Sequence, residues 1–194
     1  MTTIKTVAVF AMALTFGAGS LFAQAPPPPP QGAAAKPRPP QDFPGFLQAQ
    51  YAVLKTNLMG SAEKMPADQF AFRPTPEVRT YGQLFGHTMA AQYSYCSTVK
   101  GEVSPSLNKD LEKVTDKATV IQMVKDSFAY CDDAFAKLTN ANALEMITQG
   151  AAPNQRQIAR ANQLTMLIVH GNEHYGNLVT YMRMKGIVPP SSAQ

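Results

Sequence analysis

The segment 164–192 contains two of the three histidines in the chain, His170 and His174. Its apolar residues recur every three or four positions, which predicts a helix. A separation of four residues on a helix is about 6 Å along the axis and about 40° around it, so both imidazoles leave the same face. The third histidine, His87, lies far upstream in a second predicted helix. A fold that brings His87 against the pair must pack two distant helices side by side, which favours a helical bundle.

The hydrophobic pattern predicts an all-α domain of four helices. These span residues 45–64, 81–100, 115–138 and 155–185, and no stretch shows strand-like alternation. The connection over residues 66–79 is long enough to run the full height of a bundle. We therefore predict a four-helix bundle with long crossover connections. Thr80 and Gln83 form the capping-box pattern at the start of the second helix. Gly171, beside the histidine pair, predicts the close approach of another helix or of a ligand, because glycine is unfavourable inside a helix.

The N-terminal region is predicted to lie outside this domain. Residues 1–23 have the basic start, apolar stretch and small residues of a secretory signal peptide, with cleavage expected after Ala23. An uncleaved anchor helix is the alternative. Residues 24–44 are rich in proline and predict a disordered or extended linker. The bundle is expected over residues 45–192, in a secreted or periplasmic protein with no stable membrane span after processing.

Charge and composition give little indication of a macromolecular partner. The formal net charge of +4 is modest, and the sequence contains no run of lysine or arginine, so nucleic acid is not expected as a partner. A small-molecule substrate is the expected partner, and a homodimer is left open.

The histidine pattern predicts a metal site formed by His87, His170 and His174. A lone histidine on an apolar face is most often a hydrogen-bonded core residue, and that remains the alternative. Two neighbouring imidazoles in a core would each need a separate partner, which favours metal ligation. Three nitrogen ligands leave open positions of the kind found in catalytic sites. The expected cofactor is a divalent ion, zinc first, with nickel, copper or iron as alternatives.

Other residues near the pair are candidates for supporting roles. Residues 170–174 also match the H-x-x-E-H pattern of a protease class, in which Glu173 would be the general base. No acidic residue follows His174 to complete that class, so Glu173 is expected to flank the site. Tyr181 is a candidate to hydrogen-bond a ligand of the metal, or else a core aromatic. Gln163 and Asn177 are candidates to orient an imidazole.

The two cysteines, Cys96 and Cys131, have two interpretations. An exported chain meets oxidants, so they can form a disulfide between the second and third helices. A simple antiparallel hairpin would not align them, because Cys96 lies near the end of its helix and Cys131 far into the next. Alternatively, both are small apolar residues in the core.

Two blocks of the sequence resemble a known family. Residues 62–87, AEKMPADQFAFRPTPEVRTYGQLFGH, and residues 170–192, HGNEHYGNLVTYMRMKGIVPPSS, look like the DinB/YfiT-like family. The resemblance covers residues 45–192 and implies a four-helix bundle with a long first connection. It also implies a divalent-metal site at the positions of His87, His170 and His174.

The resemblance implies a general class of reactions but does not identify a particular reaction. Characterised members are similar to metal-dependent transferases and isomerases that use low-molecular-weight thiols, whereas this chain is predicted to leave the compartment that holds those thiols. The expected function is that of an exported metal-dependent hydrolase or thiol-type transferase. The alternative is a non-enzymatic module in which the ion joins the second helix to the fourth.

Overall fold

The computed structural model describes residues 41–193. Helix α1, Phe43–Lys64, begins two residues before the predicted start, so Phe43 and Pro44 belong to the helix and not to the linker. Its N-cap is Asp42, whose carboxylate accepts a hydrogen bond from the backbone N–H of Gly45 at 2.8 Å. An aspartate cap followed by a proline in the first turn is a favourable helix start. The predicted signal peptide and the linker as far as residue 40 lie outside the described residues.

Helices α2 and α3 begin at side-chain caps. Helix α2, Tyr81–Lys100, has the predicted capping box of Thr80 and Gln83 and ends at Gly101, whose φ of 69° suits glycine. Helix α3, Lys117–Ala136, is capped by Asp116 and ends two residues before the predicted end. The caps that begin α2 and α3 depend on the local sequence, so the predicted bounds of both helices lie close to the observed ones.

A β-hairpin replaces the predicted start of the fourth helix. Strands β1, Met146–Gln149, and β2, Arg156–Ala159, pair antiparallel, and helix α4 spans Arg160–Met184. The prediction of no strand is therefore wrong, and the helix begins five residues later than predicted. Each strand has only four residues, too few for a clear alternation, and the pairing depends on a partner across a loop.

Helices α2 and α3 run parallel. At their starts, Gly82 lies against the backbone of Thr115, and at their ends Lys100 Nζ lies 3.7 Å from Asp133 Oδ1. The connection over residues 101–116 therefore returns along the whole bundle and is the crossover. The first connection does not run the height of the bundle. It joins α1 to α2 at one end, where the hydroxyl of Tyr81 donates to the carbonyl of Ser61 at 2.9 Å.

The remaining contacts place α4 antiparallel to α2. The hydroxyl of Tyr181 donates to the carbonyl of Arg79 just before α2, whereas Arg160 donates to the carbonyl of Val99 at the far end of α2. Since the two helices run in opposite directions side by side, the middle of α4 lies level with the first half of α2. This arrangement brings two distant parts of the sequence to one height in the bundle.

A disulfide joins Cys96 to Cys131, with Cα atoms 5.5 Å apart. Both residues are fully buried. The expected misalignment does not arise, because α2 and α3 are parallel and equal advances along both helices keep the pair level. The structure therefore agrees with the disulfide interpretation. Among residues 41–193, no helix has the length and apolar character needed to cross a membrane.

Candidate metal centre

The three predicted histidines lie together. His87 projects from α2, and His170 and His174 project from successive turns of α4. One nitrogen from each ring can be chosen so that all three lie within 4.8 Å of one another, and the Nε2 atoms of His170 and His174 are 3.1 Å apart. The structure therefore brings the three residues into one group that could hold a metal ion.

The protonation state of the group suits metal binding. Burial, followed by the proximity of His170 and His87, lowers the pKa of His174 from 6.5 to about 4. Burial and His87 also lower the pKa of His170. Both rings are therefore neutral at pH 7 and keep a lone pair for a ligand bond. Three converging imidazole nitrogens fit a divalent ion of the zinc, nickel, copper or iron type.

Gly171 permits the close packing of α4 on α1. A Cβ atom at this position would lie 2.5 Å from Cδ2 of Leu54, which is fully buried. The close approach that the sequence predicted is therefore that of helix α1, and not of a ligand. This contact fixes the depth at which the neighbouring histidines lie in the bundle.

Glu112 is a neighbour of the site that was not predicted from the sequence. Its Oε1 lies 3.1 Å from Nδ1 of His87, and its Oε2 accepts a hydrogen bond from Nε of Arg79 at 3.0 Å. Burial raises the pKa of Glu112, but the hydrogen bond and charge of Arg79, together with His87, outweigh it and leave the pKa below its usual value. The carboxylate can therefore orient the ring of His87 and leave its Nε2 free for a ligand.

Two glycines on α2 allow Glu112 to reach His87. The crossover connection forms a 3₁₀ turn, Leu111–Lys113, against α2. A Cβ atom on Gly86 would lie 2.7 Å from Cα of Glu112, and one on Gly82 would lie 3.1 Å from Cα of Thr115. Glycines four residues apart form a bare stripe on α2, which is the sequence signal that could have predicted a chain segment packed there.

The supporting residues predicted from sequence are only partly at the site. Asn177 lies beside it, with Nδ2 3.4 Å from Nδ1 of His174. Gln163 does not, since its side chain accepts a hydrogen bond from Gln149 of the hairpin. Glu173 is exposed and makes no hydrogen bond with any of the three histidines, so it is not placed as a ligand.

Tyr181 is both a core aromatic and part of the site wall. It is 6% exposed, packs edge-on against Phe72, and donates its hydroxyl proton to the carbonyl of Arg79 at 3.0 Å. Its ring also lines a cleft beside His174. The hydroxyl is therefore engaged with the backbone, and the ring shapes the cleft.

A solvent-open cleft of about 730 Å³ reaches His174. The connection between α1 and α2 forms one wall of the cleft. Glu112 and residues of α2 and α4 form the rest of its lining. Its polar and charged lining side chains include Arg73, Glu77, Arg79, Gln83, Glu112 and Asn177. A small molecule in this cleft would lie against His174, one of the three histidines of the group.

A second cleft, of about 480 Å³, lies on the hairpin side. Tyr95 lines it and packs against His170, with the ring centroids 5.9 Å apart. The hairpin contributes Arg156 and Ile158 to the opposite wall. Neither Tyr95 nor this hairpin wall was predicted from the sequence, and the hairpin wall depends on strand pairing.

Comparisons with known proteins agree with this architecture. The sequence model of the DinB superfamily matches residues 50–178. A solved DinB-like protein from Bacillus cereus ATCC 10987 is 19% identical, with 76% of this chain and 95% of that chain covered and a TM-score of 0.62. A DinB-like protein from Bacillus subtilis is 20% identical, with 73% and 92% covered and a TM-score of 0.55.

A mycothiol-dependent maleylpyruvate isomerase is also similar in structure. It is 14% identical, with 70% of this chain and 60% of that chain covered and a TM-score of 0.56. At these identities, the likeness to the solved structures shows the shared fold. No match is found among curated proteins.

Proposed function

The chain belongs to the DinB superfamily, and we propose that it is a metal-dependent enzyme acting on a small molecule, as a hydrolase or a thiol-type transferase. One observation carries the proposal. The three histidines form one group, and one of them, His174, lines an open cleft large enough for a small molecule. A structural zinc site usually takes four protein ligands, whereas this group of the described residues has three. Three ligands and an open cleft favour chemistry over a purely structural ion.

His87, His170 and His174 would hold the ion. A divalent ion bound by three imidazoles keeps open positions and acts as a Lewis acid on a water, thiol or carbonyl group. Glu112 orients His87, and Asn177 lies beside the ring of His174. Glu173 is exposed and does not line the cleft, so it is not assigned as the general base, and the residues here chiefly position the ion and the substrate.

Thiol chemistry is one branch of this proposal. The isomerase with a similar fold depends on mycothiol, as its name states. We propose further that this chain acts outside the cytoplasm, where the thiol or other nucleophile that it uses would differ from the thiols of the cytoplasm. The predicted signal peptide over residues 1–23 supports this location, and so does the buried Cys96–Cys131 disulfide, because such bonds persist in oxidising compartments.

Metal analysis of purified protein tests the centre. Protein without the first 40 residues would be loaded separately with zinc, nickel and iron, and its metal content compared with that of His87→Ala, His170→Ala and His174→Ala. Asn172→Ala is the matched control, since Asn172 is exposed on α4 between the two histidines and bonds only the carbonyl of Ile168. Wild type and control should hold about one ion per chain, and the histidine variants far less. Equal metal content in all five proteins would reject the centre.

Activity then separates the enzyme from the structural module. The loaded protein would be screened with ester and amide substrates and with thiols paired with small electrophiles. His87→Ala would serve as the inactive control. Turnover that is lost in this variant supports the enzyme. A tightly bound ion whose removal lowers the melting temperature, with no turnover in any screen, would favour the module in which the ion joins α2 to α4.

A further inference from the structure

Arg79 is held in place from two directions beside the histidine group. Its carbonyl accepts the hydroxyl proton of Tyr181, and its Nε donates to Oε2 of Glu112 at 3.0 Å. The other oxygen of Glu112, Oε1, lies 3.1 Å from Nδ1 of His87. The guanidinium therefore has a defined position relative to the proposed metal ligands, at the end of the connection that walls the cleft.

Most of the donor capacity of Arg79 remains free. A guanidinium has five N–H donors, and its two terminal nitrogens carry four of them. Neither terminal nitrogen makes a hydrogen bond within residues 41–193, and the side chain, 41% exposed, lines the cleft. Two coplanar N–H groups pointing the same way match the two oxygens of a carboxylate.

The charges around Arg79 leave room for an anion. The carboxylate of Glu112 is shared between Arg79 and His87. Glu77, the other acid in the cleft, lies on the same connection as Arg73. A bound divalent ion would add positive charge at the histidines. With the ion bound, Arg73, Arg79 and the ion would together carry more positive charge than the two lining carboxylates, Glu77 and Glu112, carry negative charge.

We infer that the substrate carries a carboxylate, or a similar planar oxyanion, which Arg79 binds through its terminal nitrogens while the rest of the molecule reaches the three histidines. This inference rests on the proposed function, since it names the substrate class of that same centre. Arg79 acts in it as a specificity-determining residue. Glu112 holds the guanidinium in the orientation that the carboxylate requires.

Simple carboxylates test the inference without knowledge of the substrate. Acetate and the dicarboxylates from malonate to adipate would be titrated by calorimetry into zinc-loaded protein. Acetate can satisfy either the ion or Arg79, whereas a dicarboxylate of the right length reaches both. At least one dicarboxylate should therefore bind at least about tenfold more tightly than acetate, as expected for an added charge-assisted pair.

Variants at Arg79 should remove this preference. Arg79→Ala should bring the best dicarboxylate to within about twofold of acetate, and Arg79→Lys should recover only part of the preference, because lysine lacks the planar fork. Arg183→Ala, which removes an equal charge from an exposed position on α4 that lines neither cleft, should retain the preference. Zinc content, measured for every protein, should be unchanged in the Arg79 variants.

Two results would overturn the inference. One is wild-type protein that binds every dicarboxylate no better than acetate, and the other is an Arg79→Ala variant that keeps the wild-type preference. Failure of the proposed metal centre is distinguishable, because wild type would then hold no zinc. In that case, the same titrations on metal-free protein still test Arg79, and equal carboxylate binding by wild type and Arg79→Ala would reject its role.

Discussion

The Nδ1 atom of His87 lies 3.1 Å from Oε1 of Glu112, a residue 25 positions further along the chain. The two residues meet because the crossover connection packs directly on the backbone of α2 at Gly86. A carboxylate in this position selects the ring orientation of a histidine ligand and increases its basicity. The relationship links the least regular part of the fold to the proposed metal centre.

Replacement of Glu112 should weaken metal binding. We expect Glu112→Gln to lower zinc affinity about 10-fold and Glu112→Ala up to about 100-fold, because the ring of His87 loses its anionic partner. Competition with a chromogenic chelator measures both values. Glu63→Gln is the control, since the Glu63 side chain is exposed on α1. Equal zinc affinity in Glu112→Ala and wild type would show that the carboxylate does not position His87.

Two glycines on α4 should respond oppositely to alanine. In Gly171→Ala, the new Cβ meets buried Leu54 at 2.5 Å, so we expect a loss of about 1–3 kcal/mol in the free energy of unfolding. Gly176 has no atom within 4 Å of a Cβ position. Gly176→Ala should therefore stabilise the protein by about 0.5–1 kcal/mol through higher helix propensity. Urea denaturation measures both changes, and similar values for the two variants would contradict the packing described for α4 on α1.

Loss of the disulfide should destabilise the bundle without removing the metal. The bond spans 35 residues, and closing a loop of that length restricts the unfolded chain by about 3–4 kcal/mol. The double variant Cys96→Ala, Cys131→Ala should show this loss in urea denaturation, and wild type in reducing agent should shift in the same direction. Zinc content should be unchanged, because neither cysteine belongs to the histidine group. Identical unfolding of wild type with and without reductant would contradict a stabilising bond.

Acidification should destabilise the metal-free protein through His174. Its pKa is lowered to about 4 in the folded state, chiefly by burial and then by His170 and His87, whereas the unfolded chain titrates near 6.5. The unfolded state therefore takes up the proton first as the pH falls. The stability that neutral His174 contributes is therefore complete above pH 6.5, the pKa of the unfolded chain. It is lost progressively as the pH falls to about 4, the pKa in the folded state.

The comparison with His174→Asn measures this contribution. Melting temperatures of chelator-treated wild type and variant would be recorded at about pH 7.5 and about pH 4.5. Wild type should lose more stability over this interval, since asparagine does not titrate. The carboxylates are common to both proteins and cancel in the comparison. Parallel losses in the two proteins would show that His174 is not buried in its neutral form.

Much of the fold could be predicted because its signals are local. Thr80 with Gln83 begins α2 as predicted, and the helix ends at the predicted residue, before Gly101, since caps depend on neighbours within a few residues. The four-residue spacing of His170 and His174 is also a local signal, and it predicted that both imidazoles leave one face of the helix. The apolar residues on that face predicted that it points into the bundle. The sequence thus determined the helices, the bundle class and the three residues of the candidate metal group.

Only the tertiary structure decided which segments are neighbours. Because α2 and α3 run parallel, Cys96 and Cys131 lie at the same height in the bundle, and residues 101–116 form the crossover connection. That crossover carries Glu112 to His87 and Arg79, and strand pairing across a loop creates the hairpin beside Tyr95. These contacts join residues far apart in the chain. Their energies depend on the packing of the whole bundle, and periodicity and capping carry no information about which distant partners meet.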